Sequence, residues 1–481
     1  MLTRGFIRGA KQSIFDDSDS VSCRRIGELF GCCVRGRGAM THSVAVSGDA
    51  IINRRISQLS DPSFHEIAEL FQNADLGFTH LETLIHDFDG PEVYAPAEPA
   101  EMAMRSPEYV LAELEWMGID AVSHASNHAL DYGYGGLRST WDALDAAGMP
   151  NAGTGSDLAD AREATYFETQ LGRVALISMT SSFTRWSRAG AARYDHRGRP
   201  GLNPLGFHYE VDEETLQTVT TLAEQLGMWV TEFDDGEWVL NPPGLHNTLT
   251  RFVEADVSGI RLAVDERDRD GNLSAIRTAS RQADFVITHL HTHEWDPSGT
   301  LADPPSFVQQ FARDCVDAGT DLFVGQGSHA PLRPIELYQG KPIFHDPGDL
   351  LLMVEGATKQ PMEFYERFAH NMETDPELAT IADVYDARPA GFHTAENPLG
   401  GYTSGPVHGF VIPVCEFDDD LELEQIELHP GTIRDEPVSY SGVPVRAEGD
   451  DAREILEYVD SISTLGNGSI SIDGDTGVIQ P

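Results

Sequence analysis

The stretch ADFVITHLHTHEW, residues 283–295, contains the strand pattern and the clustered histidines that decide the fold. Its first half is a run of apolar and β-branched residues, which is typical of a buried strand in an α/β protein. His289, His291 and His293 follow at alternate positions. Because residues two apart on a strand share a face, His289 and His291 are expected to point the same way. The chain has only 18 histidines in 481 residues, so this clustering predicts a functional site.

Outward from this stretch, strand-like runs alternate with helical patterns. The strand-like runs include HSVAVSGD (42–49), LGFTHLE (76–82), RVALISMT (173–180) and DLFVGQG (321–327). The segment DPSFHEIAELFQNA predicts a helix with Asp61 as its N-cap and Pro62 in its first turn. A second helix is predicted to end at Gly118. This alternation predicts an α/β fold with buried, largely parallel strands.

Side chains that can bind metals follow most of these strands. In open α/β folds the ligand crevice lies beyond the carboxyl ends of the strands. Asp49 has an ordinary explanation as a helix cap, and His128 has one as a hydrogen-bonded loop imidazole. As a set, however, such groups are costly where strands converge unless they are paired or metal-bound, so a metal site is predicted. The set consists of Asp49, Glu82, Asn127, His128, His291 and His329.

The charge balance excludes some partners. The chain carries 78 acidic and 33 basic residues, which gives a net charge of −45 at pH 7. This field would repel a phosphate backbone, so we expect no nucleic acid partner. The basic residues are three lysines and thirty arginines. Dense carboxylate with few lysines favours a halophilic protein, whereas an arginine-rich genome would explain the arginines but not the acid excess.

The first forty residues differ from the remainder in composition. They carry a net charge of +3 and three of the five cysteines, and they contain no apolar run of the length of a signal peptide. We expect residues 1–39 to be a non-conforming, disordered extension, with either Met1 or Met40 as the true start. No run approaches the roughly 20 apolar residues of a membrane-spanning helix, so we expect a cytoplasmic protein that reaches a membrane only through partners.

Six segments occur in the order found in a known family. They are SGDAIINRRI, FTHLETLI, AVSHASNHALDYGYGGL, NAGTGSDLADAREATYFE, ADFVITHLHTHEW and DLFVGQGSHAPLRPIELYQGKPIF. On these motifs, about residues 43–350 resemble the CapA-like proteins of capsule and poly-γ-glutamate biosynthesis, in the calcineurin-like metallophosphatase superfamily. SNHALDYG resembles the family's Asn-Asn-His-x-x-Asp-x-Gly signature, and GQGSH resembles its Gly-His-x-x-His turn. The resemblance implies a four-layer α/β/β/α sandwich of two mixed sheets flanked by helices.

The resemblance also implies roles for individual residues. The six residues of the predicted set would surround a divalent metal, and Asp131 would orient His128. His291 is expected to bind the metal, with His289 or His293 as a proton-transfer or supporting partner. Arg333 is a weaker candidate for substrate binding.

Three departures from the family pattern bear on the metal. The run Asp49-Ala50-Ile51 lacks the histidine of the Asp-x-His motif found in standard metallophosphatases, as the capsule-synthesis branch also does. Gln326 replaces the first histidine of the Gly-His-x-x-His turn. The segment FHDPGDL adds His345, Asp346 and Asp349. These departures favour a single metal or a hard, oxygen-preferring ion, so Mn²⁺, Mg²⁺ or Ca²⁺ is as credible as Zn²⁺.

Two regions extend the predicted domain of residues 40–440. Residues 183–275 are expected to be a polar insertion with a local basic cluster. Its arginines are either part of a solvated loop or an anion-recognising lid, because Arg binds carboxylate and phosphate through paired hydrogen bonds. They are Arg193, Arg197 and Arg199. Residues 441–481 are expected to form a peripheral tail with one helix.

The sequence therefore predicts a metal-dependent hydrolase-like protein of capsule or poly-γ-glutamate biosynthesis. Its substrate would be anionic, a phosphoester or a γ-linked peptide, attacked by metal-activated water. One alternative is a cofactor-independent peptide epimerase that uses His/Asp pairs such as His86-Asp87 and His345-Asp346. The other is a non-catalytic accessory subunit of a polymer synthesis or export complex, with a polyglutamate ligase as the candidate partner.

Overall fold

The structure is a computed structural model. It describes residues 41–90, 92–96, 102–233, 236–243, 250–329, 332–392, 409–434, 437, 439–466 and 468–481. The expected N-terminal extension, residues 1–39, lies outside the described residues, as does the choice between Met1 and Met40.

The described residues form strands and helices in an alternating order. The strands are β1 His42–Ile51, β2 Leu76–Leu81, β3 Leu84–Ile85, β4 Arg105–Ser106, β5 Ala121–Ser123, β6 Asn151–Ala152, β7 Thr154–Gly155, β8 Thr165–Thr169, β9 Gly172–Thr180, β10 Gly201–Leu202, β11 Phe207–Val211, β12 Trp229–Glu232, β13 Glu237–Asn241, β14 Arg251–Glu254, β15 Ile260–Val264, β16 Phe285–His291, β17 Leu322–Gln326, β18 Ile335–Tyr338, β19 Lys341–Phe344, β20 Leu351–Leu352, β21 Phe410–Phe417, β22 Leu423–Arg434, β23 Val443–Arg446, β24 Ser471–Asp473 and β25 Thr476–Ile479. The helices are α1 Pro62–Asn73, α2 Val110–Met117, α3 Gly133–Ala147, α4 Leu158–Arg162, α5 Glu213–Gln225, α6 Glu266–Ala279, α7 Ser306–Ala318, α8 Met362–Phe368, α9 Ile381–Phe392 and α10 Gly449–Ile462.

Local sequence signals set the ends of the first two helices. The Asp61 carboxylate accepts a hydrogen bond from the Ser63 backbone N–H, and Pro62 occupies the first helical position of α1. At the end of α2, Gly118 adopts the left-handed conformation with φ of 97°. Only glycine reaches this conformation at little cost, which explains why the helix stops there. Both predicted helix ends are confirmed.

Two mixed sheets face each other across the main core. The larger sheet runs in the order β24-β25-β22-β21-β1-β2-β5-β6, and the smaller one runs β18-β19-β17-β16-β9-β8. Apolar side chains of both sheets share one core, in which the rings of Phe285 and Phe417 lie 5.0 Å apart in an edge-to-face arrangement. Helices α1 and α2 cover the outer face of the larger sheet, and α6 and α7 cover that of the smaller. The predicted four-layer α/β/β/α sandwich is confirmed.

The expected insertion contains a sheet of its own. Strands within residues 207–264 pair in the order β12-β13-β14-β11-β15, and α5 accompanies them. Leu262 of this sheet is buried in the core between the smaller sheet and helices α6 and α7, and Phe207 stacks on Phe307 of α7 with ring centres 5.7 Å apart. Helix α6 begins inside the expected insertion, yet its buried Leu273 packs in the core beneath the smaller sheet.

The expectation of a peripheral C-terminal tail is wrong. Strands β23 and β25 both pair with β22, so residues 443–479 extend the larger sheet. Helix α10 buries Ile455, Leu456 and Val459 in the core shared by the two sheets. Its apolar residues recur at helical spacing among many acids, and that amphipathic pattern is the sequence signal for a packed helix.

Candidate metal centre

Parallel strands bring the candidate ligands to one edge of each sheet. In the larger sheet β1 and β2 are parallel, and Asp49 lies opposite His80. In the smaller sheet β16 and β17 are parallel, and His291 lies opposite Gln326. Because the carboxyl ends of parallel strands meet at one edge, side chains far apart in the chain converge between the two sheets.

Asp49 lies among three imidazoles. Its Oδ1 is 3.9 Å from His291 Nδ1 and 4.0 Å from His80 Nε2, and its Oδ2 is 3.5 Å from His329 Nδ1. These separations exceed hydrogen-bond lengths. Ligands that each lie about 2.0–2.2 Å from a shared ion would be separated by a comparable distance, on the order of 3–3.5 Å.

Glu82 completes a second side of the same cluster. Its Oε1 lies 3.5 Å from His291 Nε2 and 3.9 Å from His128 Nε2. Three sets of residues could each hold a metal ion, because the donor atoms within each set lie within 4.8 Å of one another. The sets are Asp49, His80 and His291; Glu82, His293 and His329; and Asp49, His329 and Asp349. The sets share residues, so they form one continuous cluster of carboxylates and imidazoles.

Several of these donor atoms are buried without a hydrogen-bond partner. Within the described part of the chain, neither carboxylate oxygen of Asp49 or Glu82 accepts a hydrogen bond, and the same holds for His80 Nε2 and Asn127 Oδ1. Burying such polar atoms without a partner costs several kcal/mol, on the order of 1–3 kcal/mol for each neutral group and more for each charge. Oxygen and nitrogen donors of this kind suit a divalent cation, so the residues fit a metal.

The electrostatics of the cluster point the same way. Burial raises the pKa of Asp49, and the nearby Glu82 and Asp349 carboxylates raise it further. Burial also raises the pKa of Glu82. Burial lowers the pKa of His329, but the Asp349 and Glu82 carboxylates outweigh it and raise that pKa to about 9. A cation placed among these carboxylates would relieve their mutual repulsion.

His128 and Asp131 form a buried dyad at the edge of the cluster. His128 Nδ1 lies 2.5 Å from Asp131 Oδ2, and the same oxygen accepts a hydrogen bond from the Met104 backbone N–H at 2.7 Å. Because a carboxylate accepts and does not donate, the His128 Nδ1 carries the proton. His128 Nε2 is therefore turned toward the Glu82 side of the cluster.

The other histidines of the opening stretch differ in their positions. His293 Nε2 lies 2.9 Å from His291 Nε2, so His293 joins the cluster. His289 lies behind it, where its Nδ1 contacts the Ser178 hydroxyl at 3.0 Å and its ring stacks on His80 with centres 4.6 Å apart. Burial lowers the pKa of His289 to about 3. His289 is therefore a supporting residue in this structure and does not reach the grouped donor atoms.

Gln326 contacts the histidines from the neighbouring strand. Its Nε2 lies 2.7 Å from His291 Nδ1 and 3.3 Å from His289 Nε2. Both imidazoles are buried, and so is the carboxamide. Gln326 thus contacts His291 at Nδ1, the nitrogen that also faces Asp49 Oδ1.

Asp346 shapes the loop that presents His329. Its Oδ2 accepts hydrogen bonds from the Ser328 backbone N–H and hydroxyl, both at 2.8 Å, and its Oδ1 accepts one from the Gly348 N–H at 2.8 Å. His329 has a φ of 58°, in the left-handed region that non-glycine residues seldom adopt. The Asp346 contacts hold the loop in this conformation, and strain of this kind is common at functional sites.

Sequence reasoning missed two donors of the cluster. His80 lies on β2, two residues before Glu82, which directly follows the strand, so the alternation of side chains along an extended chain is the signal that relates them. Asp349 lies 3.2 Å from His329 Nδ1 through its Oδ1. The sequence showed Asp349 as an extra carboxylate in FHDPGDL, but the sequence alone did not predict that this loop lies beside His329.

The arginines expected to bind substrate do not meet at the cluster. Arg193 pairs with Asp195 at 2.9 Å, and the Arg199 side chain donates to the Arg188 backbone carbonyl. Arg197 is exposed. These contacts favour a solvated loop over a lid of arginines above the metal.

Arg333 contacts the backbone on both sides of His293. Its side chain is buried, and its guanidinium donates to the backbone carbonyls of Leu301 at 3.2 Å, Thr292 at 3.3 Å and Glu294 at 2.8 Å. Thr292 and Glu294 flank His293. Three of the five guanidinium N–H donors are thus used on the backbone, and the substrate-binding role of Arg333 stays a prediction.

The His/Asp pairs considered for an epimerase have other partners. Asp87 is exposed and forms an ion pair with Arg105. His345 faces Glu336, with its Nε2 3.6 Å from Glu336 Oε2. Neither pair therefore presents an adjacent acid and base to a common point.

The chain is similar to several known proteins. The sequence profile of the family described as bacterial capsule synthesis protein PGA_cap matches residues 43–353, which include every donor of the cluster. An uncharacterized protein of Sinorhizobium fredii is 32% identical over 437 residues, covering 90% of this chain and 92% of the relative. The PGA biosynthesis protein CapA of Bacillus subtilis is 21% identical over 352 residues, covering 72% and 73%. A probable polyglutamine synthesis accessory protein of Mycobacterium tuberculosis is 29% identical over 233 residues, covering 48% and 45%.

Among the described residues, no helix combines the length and the apolar composition that a membrane crossing requires.

Proposed function

Because this chain belongs to the bacterial capsule synthesis protein family PGA_cap, we propose that it is a divalent-metal-dependent hydrolase that acts on an anionic substrate. Membership confirms the resemblance inferred from the ordered motifs. The substrate class is a phosphoester or a γ-linked peptide of capsule or poly-γ-glutamate biosynthesis. The observation that carries the proposal is the burial of the Asp49 and Glu82 carboxylates, without hydrogen-bond donors, against imidazoles from other strands.

The residues that would hold the metal come from both sheets. The proposed ligands are drawn from Asp49, His80, Glu82, Asn127, His291, His293, His329 and Asp349, whereas His128, expected from the sequence as a ligand, is assigned here to proton transfer. The mixture of oxygen and nitrogen donors favours Mn²⁺ or Zn²⁺ over a purely oxygen-bound ion, although Mg²⁺ and Ca²⁺ remain alternatives for the measurement to decide. When bound, such an ion would polarise a phosphoryl or carbonyl oxygen and lower the pKa of water.

The chain's own residues would then move the proton. Asp131 holds His128 in one orientation through the 2.5 Å contact, which leaves Nε2 facing the cluster. A protonated His128 at this position can donate its proton to the leaving group, and Asp131 stabilises the imidazolium that this requires. His293, in contact with His291, is the second candidate for proton transfer.

Metal analysis and a substrate screen test the proposal together. We expect the purified full-length protein to contain a divalent metal and to hydrolyse a phosphoester or a γ-glutamyl peptide. His291→Ala should remove the metal and the activity. His128→Ala should lower kcat by about 10²–10⁴-fold while retaining metal, because general acid catalysis contributes that much.

The matched control is His196→Ala, since His196 is an exposed histidine of the insertion. This variant should retain both the metal and the activity. Full activity in His291→Ala, or the absence of turnover on both substrate classes with metal bound, would contradict the proposal.

A second candidate function is a non-catalytic accessory subunit. One relative is named a probable polyglutamine synthesis accessory protein, and Gln326 stands in the centre where an additional imidazole would strengthen metal binding. In this case the protein would bind a polymer ligase, and its metal would stabilise the fold. Co-purification with a ligase, with bound metal and without turnover, would favour this candidate over hydrolysis.

A further inference from the structure

A pocket opens beside the metal centre, between the five-stranded sheet and the end of β16. Its volume is about 460 Å³. Ser181 and Glu294 line its inner wall, and Tyr209, Val239 and Arg251 of the five-stranded sheet line the outer one. Pockets of roughly 300–1,000 Å³ bind small molecules in many proteins. The insertion thus builds a cavity that none of the candidate ligands occupies.

The inner wall of this pocket is continuous with the backbone that carries the ligands. The Ser181 N–H donates to the His291 carbonyl at 3.0 Å. The Ser182 hydroxyl accepts a hydrogen bond from the His293 N–H at 2.7 Å and donates to Glu294 at 3.0 Å. A molecule held in the pocket would therefore lie next to the metal centre.

Most charges that line the pocket already have partners. Arg251 pairs with Glu237 at 3.2 Å and with Asp265 at 2.7 Å. Arg188 pairs with Asp268 at 3.3 Å. These pairs fix the arginines in place, and the exposed edges of their guanidinium groups can still accept a further anion.

Glu294 is satisfied by hydroxyl groups. Its carboxylate accepts hydrogen bonds from Ser181 at 2.5 Å, from Ser182 at 3.0 Å and from Thr292 at 2.9 Å. A nearby cation is Arg333, whose guanidinium donates to the Glu294 backbone carbonyl at 2.8 Å and interacts with the carboxylate through charge. Glu294 contributes a negative charge at the side of the pocket nearest to His293.

Arg267 and an aromatic wall complete the pocket. Arg267 is exposed at the start of α6, and its guanidinium has no partner within the described part of the chain. Phe207, Tyr209 and Phe233 line the same pocket, and Phe233 is 46% exposed, so this wall offers apolar surface to a ligand. The pocket combines the Arg267 cation, the hydroxyl-bonded Glu294 carboxylate and aromatic rings.

We propose that this pocket binds a short zwitterionic peptide substrate, one whose carboxylate and ammonium group are both free. The carboxylate would bind at Arg267, the ammonium group would face Glu294, and the aliphatic or aromatic portion would pack on Tyr209 and Phe207. Four acidic and three basic residues line the pocket, so a phosphoester dianion would meet net repulsion, whereas a zwitterion would not. The inference rests on the proposed function and selects the peptide from its two substrate classes.

Calorimetry on the full-length protein tests the inference without requiring turnover. The probes are the dipeptide Ala-Phe, its N-acetylated form and phenyl phosphate, each titrated into the protein with and without EDTA. We expect Ala-Phe to bind at least 10-fold more tightly than the other two. Arg267→Gln should weaken Ala-Phe binding by about 10-fold, because a charge-assisted hydrogen bond is lost.

The matched control is Arg193→Gln, which removes an exposed arginine of the same insertion that pairs with Asp195 and does not line the pocket. It should leave the Kd unchanged. A second variant, Tyr209→Leu, should weaken Ala-Phe binding through the aromatic wall. The inference is overturned by tighter binding of phenyl phosphate, by an Arg267→Gln protein that binds Ala-Phe like wild type, or by no Ala-Phe binding.

These outcomes separate the pocket from the hydrolase. Dipeptide binding that depends on Arg267 in a protein that hydrolyses nothing would support the pocket and contradict the proposed function. Hydrolysis of a phosphoester with no dipeptide binding would do the reverse.

Discussion

At the scale of single residues, the centre contains carboxylates that the fold does not satisfy. Asp49 and Glu82 are fully buried, and no hydrogen bond from the described residues reaches their oxygens. Glu113 is an instructive contrast, since it is buried but accepts hydrogen bonds from Ile56, Ser57 and Arg55. Hydrogen bonds lower the pKa of Glu113, whereas burial raises that of Asp49. The hydrogen-bonded Glu113 stabilises the fold, whereas Asp49 has the environment of a candidate metal ligand.

Opposite signs of stability change follow for the two carboxylates. Because its folded-state pKa is raised, ionised Asp49 destabilises the metal-free protein as the pH rises through that pKa. Asp49→Asn should therefore raise the Tm of the EDTA-treated protein at neutral pH. Glu113→Gln should lower it, because this group's pKa is lowered and its contribution is present above the unfolded-state value.

Added Mn²⁺ or Zn²⁺ provides the second half of this test, read by differential scanning calorimetry. At a concentration of about 100 Kd the metal should stabilise wild type and Glu113→Gln by roughly 2.7 kcal/mol, and Asp49→Asn by much less. A metal-free Asp49→Asn protein that melts below wild type, or that gains as much from metal, would rule out Asp49 as a ligand.

Arg333 should act on the metal centre through the backbone. Arg333→Gln leaves the carbonyls of Thr292 and Glu294 without their charged donor, so we expect a loss of roughly 2–4 kcal/mol of unfolding free energy. The loop that carries His293 would loosen, and metal affinity should fall by about 10-fold or more. Urea unfolding and metal titration measure the two effects.

Arg333→Lys distinguishes positioning from charge alone. A lysine keeps the positive charge, but its single ammonium group cannot donate to three separate carbonyls as the planar guanidinium of Arg333 does. Stability and metal affinity should therefore both stay below those of wild type. Arg197→Gln, which removes an exposed arginine, should change neither. Wild-type metal affinity in Arg333→Gln would show that the hydrogen bonds from Arg333 to the backbone on either side of His293 do not affect metal binding.

At the scale of elements, sequence patterns predicted the strands and helices that position the centre, but not every partner. The run ending at His291 and the capped helix after Asp61 follow from local periodicity and capping. His80 was missed because its meaning depends on which strand lies opposite β2. The tail was misjudged for a similar reason: its strands pair with β22, and pairing between strands distant in sequence leaves no local signal.

The packing of α10 gives a test at this scale. Leu456 is fully buried in the core between the sheets, so Leu456→Ala should lower the free energy of unfolding by about 2–5 kcal/mol. Glu457→Ala, at the neighbouring exposed position, should change it by less than about 0.5 kcal/mol. Chemical denaturation monitored by fluorescence provides both values. Equal stability of the two variants would show that the packing of α10 does not stabilise the fold.

At the scale of the whole molecule, the exposed and the buried carboxylates should respond differently to added salt. The net charge of −45 spreads repulsion over the surface, while the centre concentrates buried carboxylates around one point. Salt screens exposed charges within a Debye length but screens buried pairs much less. The stability of the surface should therefore depend on salt, and that of the centre on a specific divalent ion.

Screening predicts that potassium chloride stabilises this protein up to a limit. Raising the concentration from about 0.1 M to about 1 M shortens the Debye length from about 10 Å to about 3 Å, which removes most long-range repulsion among exposed carboxylates. The Tm of the EDTA-treated protein should rise steeply over this range and then level off. A preferentially excluded osmolyte such as sucrose serves as the control, because it strengthens burial without screening charge and should give a gradual rise without a plateau. A Tm that falls with potassium chloride, or that follows the sucrose curve, would contradict the hypothesis that the acidic surface adapts this protein to high salt.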